Sequence, residues 1–435
     1  MKLLPSHAVV DEFISKHVDV DWQGELDLHQ LLSALISGKI VLEKPSPNKI
    51  ADQVVTGPSK ATFYRKVHKL ATKMPTLHEN IVNAIQEDPA LTMKNHGVIS
   101  IDEHLLPHTS DKMEGVGYFY STTLDDSLLA LSMISSHYHD QSKEYPLYFE
   151  FYRKQDELES RGKQNLYKKK NQIARDLIEK LCALPNCPPT FLMDSFFMTK
   201  DNVRHLKDMN KDYISRPKRN WSGTLDNKKQ SLGAIFDGIL EEGFDLTKVF
   251  NKKTGKAKTY YTATRDVFFK RIGTHRVVFI DLNRDDEGKR VPDVPGNGDF
   301  EESPAKQKYR VFIASNLAWD ASTILSLYAL RWTIETGYRD MSQNLGLHGC
   351  QWQELDGQQC FVALTFTCYL FLLWAKKNGL LDRYGTRLET LGDTKRAFIH
   401  YCQDEFATWL HEIRVLCSEC TISWWIEKHV FTGLG

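Results

Sequence analysis

The chain has no excess of either charge: 56 Lys and Arg stand against 56 Asp and Glu over 435 residues. That balance removes the global basic field common in nucleic-acid-binding proteins, so any such affinity must come from local patches. Cysteine is sparse, eight in all, too scattered for a disulfide framework, and a reduced cytoplasmic setting is expected. Cys417-x-x-Cys420, with His429 and Cys402 nearby, lacks a second ligand pair at a recognisable spacing, so core packing rather than zinc is expected there. No basic segment followed by an apolar run opens the sequence, so no leader peptide is expected. The longest apolar run, Phe361–Ala375, contains Thr365 and Thr367 and ends in Lys376 and Lys377. It is shorter than the roughly 20 residues of a bilayer span, and a buried core helix with no membrane partner is expected. Rival chemistries are missing too. There is no G-x-S-x-G elbow, and His104 and His108 lack the Glu that a zinc-protease helix carries between them.

What is present suits a globular protein. Hydrophobic residues make up 41% and aromatics 11%, and the length suggests about three units. Residues 1–95 read as helical. Leu28–Ile36 is amphipathic, Lys49–Val55 suits a short helix, Gly57-Pro58 is a turn signal, and Ser59 is placed to cap a helix over Lys60–Thr72. A short helix, a turn and a helix bearing Lys60, Thr62, Arg65, Lys66 and Lys69 is how a helix-turn-helix DNA reader looks; a helical bundle with a solvated basic face fits equally well.

From His96 the pattern turns to strands and helices in alternation. Val98–Ile101 is a short apolar run that stops at Asp102, and Thr190–Met193 is another that stops at Asp194. Tyr118–Thr122 and Tyr145–Tyr152 are β-rich, Asn165–Leu184 and Lys200–Met209 are helical, and Asp212–Arg219 is strand-like. Residues 221–307 read as a β-rich insertion, ending in the acidic, Gly- and Pro-rich loop Asp285–Gln307. Tyr309–Ser315 resumes strand character. Asp320 caps a long expected helix, Ala321 to Asn344, and residues 361–435 read as helical. The expected architecture is α/β: a ribonuclease H-like core in two parts (96–220 and 308–380), interrupted by the β insertion (221–307), with an N-terminal helical domain (1–95) and a C-terminal helical region (381–435).

Two carboxylates at strand ends lie where α/β sheets bind substrates and metals. A third, Glu335, lies on a helix where Tyr328, Arg331, Glu335, Arg339 and Ser342 are spaced 3, 4, 4 and 3 apart, which is one face at 3.6 residues per turn. Taken alone, that stripe reads as a solvated face held by i,i+4 ion pairs, and a strand-end Asp reads as a turn former.

Together they carry a resemblance. Tyr328-x2-Arg331-x3-Glu335, in YALRWTIETGYRD, resembles the Y-R-E-K signature helix of DDE-superfamily insertion-sequence transposases, most like insertion-sequence family four and its relatives. Asp102 in IDEHLLPHTSDKMEGVGYFY and Asp194 in FLMDSFFMTKDNVRHL are similar to that family's first and second catalytic aspartates, and the order and spacing agree from about Gly97 to Leu372. Where the family carries its closing Lys, this chain has Ser342. The resemblance implies that Asp102, Asp194 and Glu335 are the catalytic residues and hold two Mg²⁺ ions, for which Mn²⁺ substitutes. It implies cleavage at transposon ends and joining of the freed 3′-OH to target DNA, by a homodimer on double-stranded DNA. Tyr328, Arg331 and Arg339 are the expected DNA contacts near the site. Lys60, Arg65 and Lys66 are expected further out, and Arg216, Lys218 and Arg219 form one of three basic runs, with Lys168–Lys170 and Lys252–Lys258. Trp221 is a candidate for stacking on an unpaired base; core packing is expected for Trp332. A nuclease that does not join ends, or an inactive DNA-binding regulator, are the alternatives.

Overall fold

A computed structural model describes residues 2–4, 6–18, 26–43, 45–55, 59–121, 124–218, 220–251, 256–284 and 308–416. Gly57-Pro58, Arg219, most of the 252–258 run, the 285–307 loop and Cys417, Cys420 and His429 lie outside these residues. Five helices open the chain: α1 (Ala8–His17), α2 (Leu26–Val41), α3 (Pro47–Gln53), α4 (Lys60–Ala71) and α5 (Met74–Ala84). Strands β1 (Val98–Pro107), β2 (Gly117–Ser121), β3 (Asp126–His139) and β4 (Glu144–Tyr152) follow, then α6 (Gln155–Ser160), α7 (Lys170–Cys182), β5 (Thr190–Met193), α8 (Lys200–Asp208) and β6 (Asp212–Ser215). Next come β7 (Ser222–Leu225), β8 (Lys228–Ser231), α9 (Leu232–Glu242), β9 (Asp245–Asn251), β10 (Lys256–Phe269) and β11 (Gly273–Asp281). The chain continues through β12 (Tyr309–Ala314), α10 (Ala321–Ala329), α11 (Trp332–Leu345), α12 (Leu355–Lys377) and α13 (Leu391–Leu416).

All twelve strands belong to one mixed sheet. At its centre β4, β3 and β1 run antiparallel, and β1, β5 and β6 run parallel, the order of a ribonuclease H-like core. The expected α/β core is therefore present. Val98–Ile101 and Thr190–Met193 are buried throughout, because parallel strands covered on both faces need unbroken apolar runs. The strands of 221–281 continue the same sheet: β11 pairs with β12, and β12 pairs with β6 through Ile313↔Ser215 and Ala314↔Ile214.

β1 does not stop at Asp102. It continues to Pro107 because the 14-residue β3 keeps pairing with it as far as Pro107↔Ala130. What ends before Asp102 is the parallel pairing with β5, whose last register is Ile101↔Met193.

Two helical expectations also need correction. α2 is not amphipathic: residues 31–40 are buried on every side, since α1, α3, α4, α12 and α13 surround the helix. The single helix expected over 321–344 is two. Between them the backbone tightens to i→i+3 bonds, Arg331 N to Tyr328 O at 3.0 Å and Thr333 N to Leu330 O at 3.0 Å. The break lets α10 lie along β6, β9, β10 and β12 while α11 packs on α12, α13, β3 and β4.

Alone among the described helices, α12 is long and apolar enough to cross a membrane, yet 83% of its most apolar window is buried within the protein. It is a core helix, packed against α2, α4, α5, α11 and α13. The N-terminal helices thus share one hydrophobic core with the C-terminal ones.

Candidate active site

Register assembles the site. Ile101 and Met193 are neighbours on adjacent parallel strands, so the next residue of each chain segment, Asp102 and Asp194, emerges at the same edge of the sheet. Side chains alternate along a strand. Asp102 therefore projects to the face of Val98, and Asp194 to the face of Leu192; both apolar residues belong to the smaller core beneath Ile324 and Leu325 of α10. The α10–α11 junction covers that edge and delivers Tyr328, Arg331 and Glu335.

Arg331 joins the pieces. Its Nη1 donates to Asp102 Oδ2 at 2.7 Å and its Nη2 to Glu335 Oε1 at 2.6 Å. Its guanidinium also lies 5.9 Å from the centre of the Tyr328 ring, which packs edge-on against Phe312. Asp194 Oδ1 accepts from Phe196 N at 2.9 Å and Phe197 N at 3.1 Å, an Asx-type turn that fixes the carboxyl at the strand end. Tyr338, one turn beyond Glu335, donates its hydroxyl toward Asp102 O and shares a 2.8 Å bond with Ser135 of β3, the residue opposite Asp102.

These carboxylates repel one another in a dry place. Burial raises the Asp102 carboxyl to about 7; Arg331 opposes the shift, while Asp194 and Glu335 add to it. Burial likewise raises Asp194, against the pull of the Phe197 and Phe196 amides and Arg331, with Glu103 adding to the rise. Burial acts to depress Arg331, but Asp102, Tyr328 and Glu335 outweigh it and hold the guanidinium above its ordinary value. Burial also raises Tyr328 to about 12.

Three carboxylates around one guanidinium leave uncompensated negative charge, and hard oxygen donors in excess suit a divalent cation such as Mg²⁺. The second oxygens of Asp194 and Glu335 have no hydrogen-bond partner among the described residues. The donor set fits the ion. As the side chains are placed, no three His, Cys, Asp or Glu among the described residues are close enough to share one metal, and Arg331 stands between Asp102 and Glu335.

Other expected residues are distributed unequally. Arg216 is exposed at the end of β6, close enough for its charge to act on Tyr328, with Lys218 exposed beyond it. Arg339 is exposed one turn past Glu335. Lys60, Arg65 and Lys66 lie on α4, which packs on α12 rather than at the carboxylates. Lys60 pairs with Asp52 of α3 at 2.6 Å. The tryptophan expectations reverse. Trp332 is 58% exposed beside Arg331, whereas Trp221 packs against Phe269.

Two neighbours of the site escaped sequence reasoning. Ser342 lies 3.3 Å from His348 Nε2, which is 2.9 Å from His104 Nε2, and the His104 ring stacks on Tyr338. Glu103, on the opposite face of β1 from Asp102, is bonded to Lys170 and to Ser132. Alternation places His104 with Asp102 and could have flagged it; nothing in the sequence marks His348 as its partner.

A mixed sheet in this strand order, with Asp102 and Asp194 at the edge of its parallel strands, is a ribonuclease H-like core. Residues 164–371 match the family model described as the transposase DDE domain; the chain carries a DDE-superfamily transposase domain. The matched segment contains Asp194 and Glu335 and begins after Asp102. No match was found among curated proteins. Among solved structures, the NurA nuclease from Sulfolobus solfataricus aligns at 10% identity and a TM-score of 0.24, over 62% of this chain and 85% of that one. So slight a likeness carries no argument.

Proposed function

We propose that the chain is a cut-and-paste transposase in which Asp102, Asp194 and Glu335 form the catalytic centre. The observation carrying this reading is the Ile101↔Met193 register, which brings two distant aspartates together beneath the helix bearing Glu335, in a chain with a transposase DDE domain.

Asp102, Asp194 and Glu335 would hold two Mg²⁺ ions, which supply charge stabilisation to the attacking and leaving oxygens of an in-line displacement. The protein's own groups do the rest. Asp194 is pinned by two backbone amides, so its free oxygen keeps a fixed direction. Arg331 holds Asp102 and Glu335 together and offers the guanidinium that a phosphate oxygen can engage once DNA is bound. Tyr328, its ring centre 5.9 Å from the Arg331 guanidinium, would contact the DNA beside it. Arg216, Lys218 and Arg339 would contact backbone phosphates near the cut, and Lys60, Arg65 and Lys66 on α4 would hold a more distant stretch of duplex. Water attacks the phosphorus first and displaces the 3′ oxygen as a free 3′-OH; that hydroxyl then attacks a phosphorus of target DNA and displaces the target strand's own 3′ oxygen, without a covalent protein–DNA bond. Cutting both ends calls for two copies of the chain.

The test uses purified protein, Mg²⁺ or Mn²⁺, and a DNA bearing any inverted repeats found in the sequence on either side of the gene. Nicked ends together with joined products support the reading. Cleavage without joining makes the protein a nuclease, and binding with neither makes it a regulator. Asp102→Ala, Asp194→Ala and Glu335→Ala should each abolish cleavage and leave binding intact. A fully active single variant removes that residue from the centre.

A further inference from the structure

β10 outruns its neighbour in the sheet. It pairs with β11 only from Tyr261 to Phe269, yet it pairs with β9 from Lys256 to Thr262. Lys256 to Tyr260, with Thr247 to Asn251 opposite them, therefore have no third strand beside them among the described residues and form a two-stranded ribbon. At about 3.4 Å per residue the ribbon reaches roughly 17 Å past the sheet. Such a ribbon is marginal on its own. α10 steadies it: Ser322 Oγ donates to Lys248 O at 3.1 Å, and Val249 and Tyr260 pack on the smaller core around Ile324 and Leu325.

The ribbon's other face is bare. Side chains alternate along a strand, so Leu246, Lys248 and Phe250 point away from α10, and Leu246 is 55% and Phe250 66% exposed. Ala257 and Thr259, paired with Phe250 and Lys248, share that face and are exposed as well. The charge is one-sided. Between Asp245 and Thr262 the sequence places Lys248, Lys252, Lys253, Lys256 and Lys258 against a single acid, Asp245. Lys248 and Lys258 are exposed, and neither pairs with a carboxylate among the described residues; Lys258 Nζ lies 5.3 Å from the centre of the Tyr260 ring. In a chain of zero net charge this is a local concentration of positive potential, which repels a second copy of the ribbon and attracts a polyanion.

We propose that the β9–β10 ribbon lies in a groove of duplex DNA, with Lys248 and Lys258 paired to phosphates and Phe250 against the sugars and base edges. The major groove, about 12 Å wide, admits a two-stranded ribbon. This contact is separate from those of α4 and of the carboxylate centre, and it rests on the reading that DNA is the substrate. α10 holds the ribbon through Ser322 near its start and carries Tyr328 near its end. Duplex seated on the ribbon is thereby aligned with the carboxylates.

The probe is a fluorescein-labelled duplex of arbitrary sequence, titrated with the full chain in EDTA and followed by anisotropy from about 50 to 200 mM salt. Lys248→Ala combined with Lys258→Ala should weaken binding about fivefold or more. It should also flatten the dependence of log Kd on log salt by nearly two, since each lost phosphate contact counts for about 0.9. Phe250→Ala should weaken binding about tenfold through lost apolar burial and leave that slope unchanged, because the ring displaces no counter-ion. p-Benzoylphenylalanine in place of Phe250 should cross-link to the DNA on irradiation. Unchanged affinity in either variant, or cross-links to protein alone, whether its own chain or a second copy, overturns the inference and leaves the carboxylate centre as it stands. Failure of the unmodified chain to bind any duplex overturns both.

Discussion

Arg331 Nη1 lies 2.7 Å from Asp102 Oδ2, a contact between a helix junction and a strand separated by most of the catalytic core. Arg331 is the principal influence keeping the Asp102 carboxyl from still stronger protonation. Arg331→Ala should move the pH at which Asp102 ionises upward and lower DNA cleavage by roughly 100-fold, the loss typical of removing one preorganised charge-stabilising donor. Arg331→Lys should recover little, since a single ammonium cannot engage both Asp102 and Glu335 as the two-pronged guanidinium does. Nicking rates measured from pH 6 to 9 would decide this; an unchanged pH profile in Arg331→Ala rules the role out.

A divalent ion bound by these carboxylates must stabilise the fold. Binding to the folded state alone adds about 2.7 kcal/mol at a hundredfold excess over Kd, and here it also relieves the repulsion that raises Asp102 and Asp194. Calorimetric melting should therefore shift upward with Mg²⁺ or Mn²⁺ in the native chain and far less in Asp194→Asn. Equal shifts in both proteins would place the ion elsewhere.

Acid should weaken the fold well above the carboxylate range. Burial lowers His78 to about 4 and His137 to about 3, against an ordinary value of 6.5. Because both are depressed on folding, the unfolded chain binds protons first, and stability is lost as pH falls from about 6.5 toward 4. The slope is at most about 1.4 kcal/mol per pH unit for each histidine. Burial keeps His78 neutral against the pull of the Leu147 carbonyl; its ring nitrogens lie 2.6 Å from Leu147 O and 3.1 Å from Thr367 Oγ1. Urea unfolding at pH 7.5 and pH 5 measures the effect, and His78→Gln should flatten it.

The helix bearing Glu335 is seated on β3 through a glycine. A Cβ at Gly337 would lie 2.6 Å from the His137 ring. Gly337→Ala should cost about 1–3 kcal/mol, as overpacking usually does, and should lower cleavage by tilting Glu335. Gly337→Ala combined with His137→Ala should show less than the sum of the two separate losses. Strict additivity in a double-mutant cycle would mean that the two positions do not meet.

The core strands and Ser59's capped helix were legible because apolar runs and capping side chains act locally: Ser59 Oγ does accept from Thr62 N. The three acidic residues could be found from their motif contexts, but their meeting depends on strand register, which no local pattern encodes. The end of β1 was not legible for that reason; its partner β3, which pairs with it as far as Pro107↔Ala130, sets its length. Leu28–Ile36 of α2 looked amphipathic because Ser33 interrupts its apolar residues, yet Ser33 is buried by helices that include two from the far end of the chain. Trp332 and Trp221 exchanged roles because exposure follows from packing partners, which adjacency to a polar stripe does not reveal.

α12 extends for about 35 Å at 1.5 Å per residue, and it behaves as a keel for the whole helical side of the molecule. α4, with its outward Arg65, and α11, with Glu335, are both fastened to it. Were duplex gripped at one and cut at the other, the distance between the two would be set by a rigid rod and not by a tether.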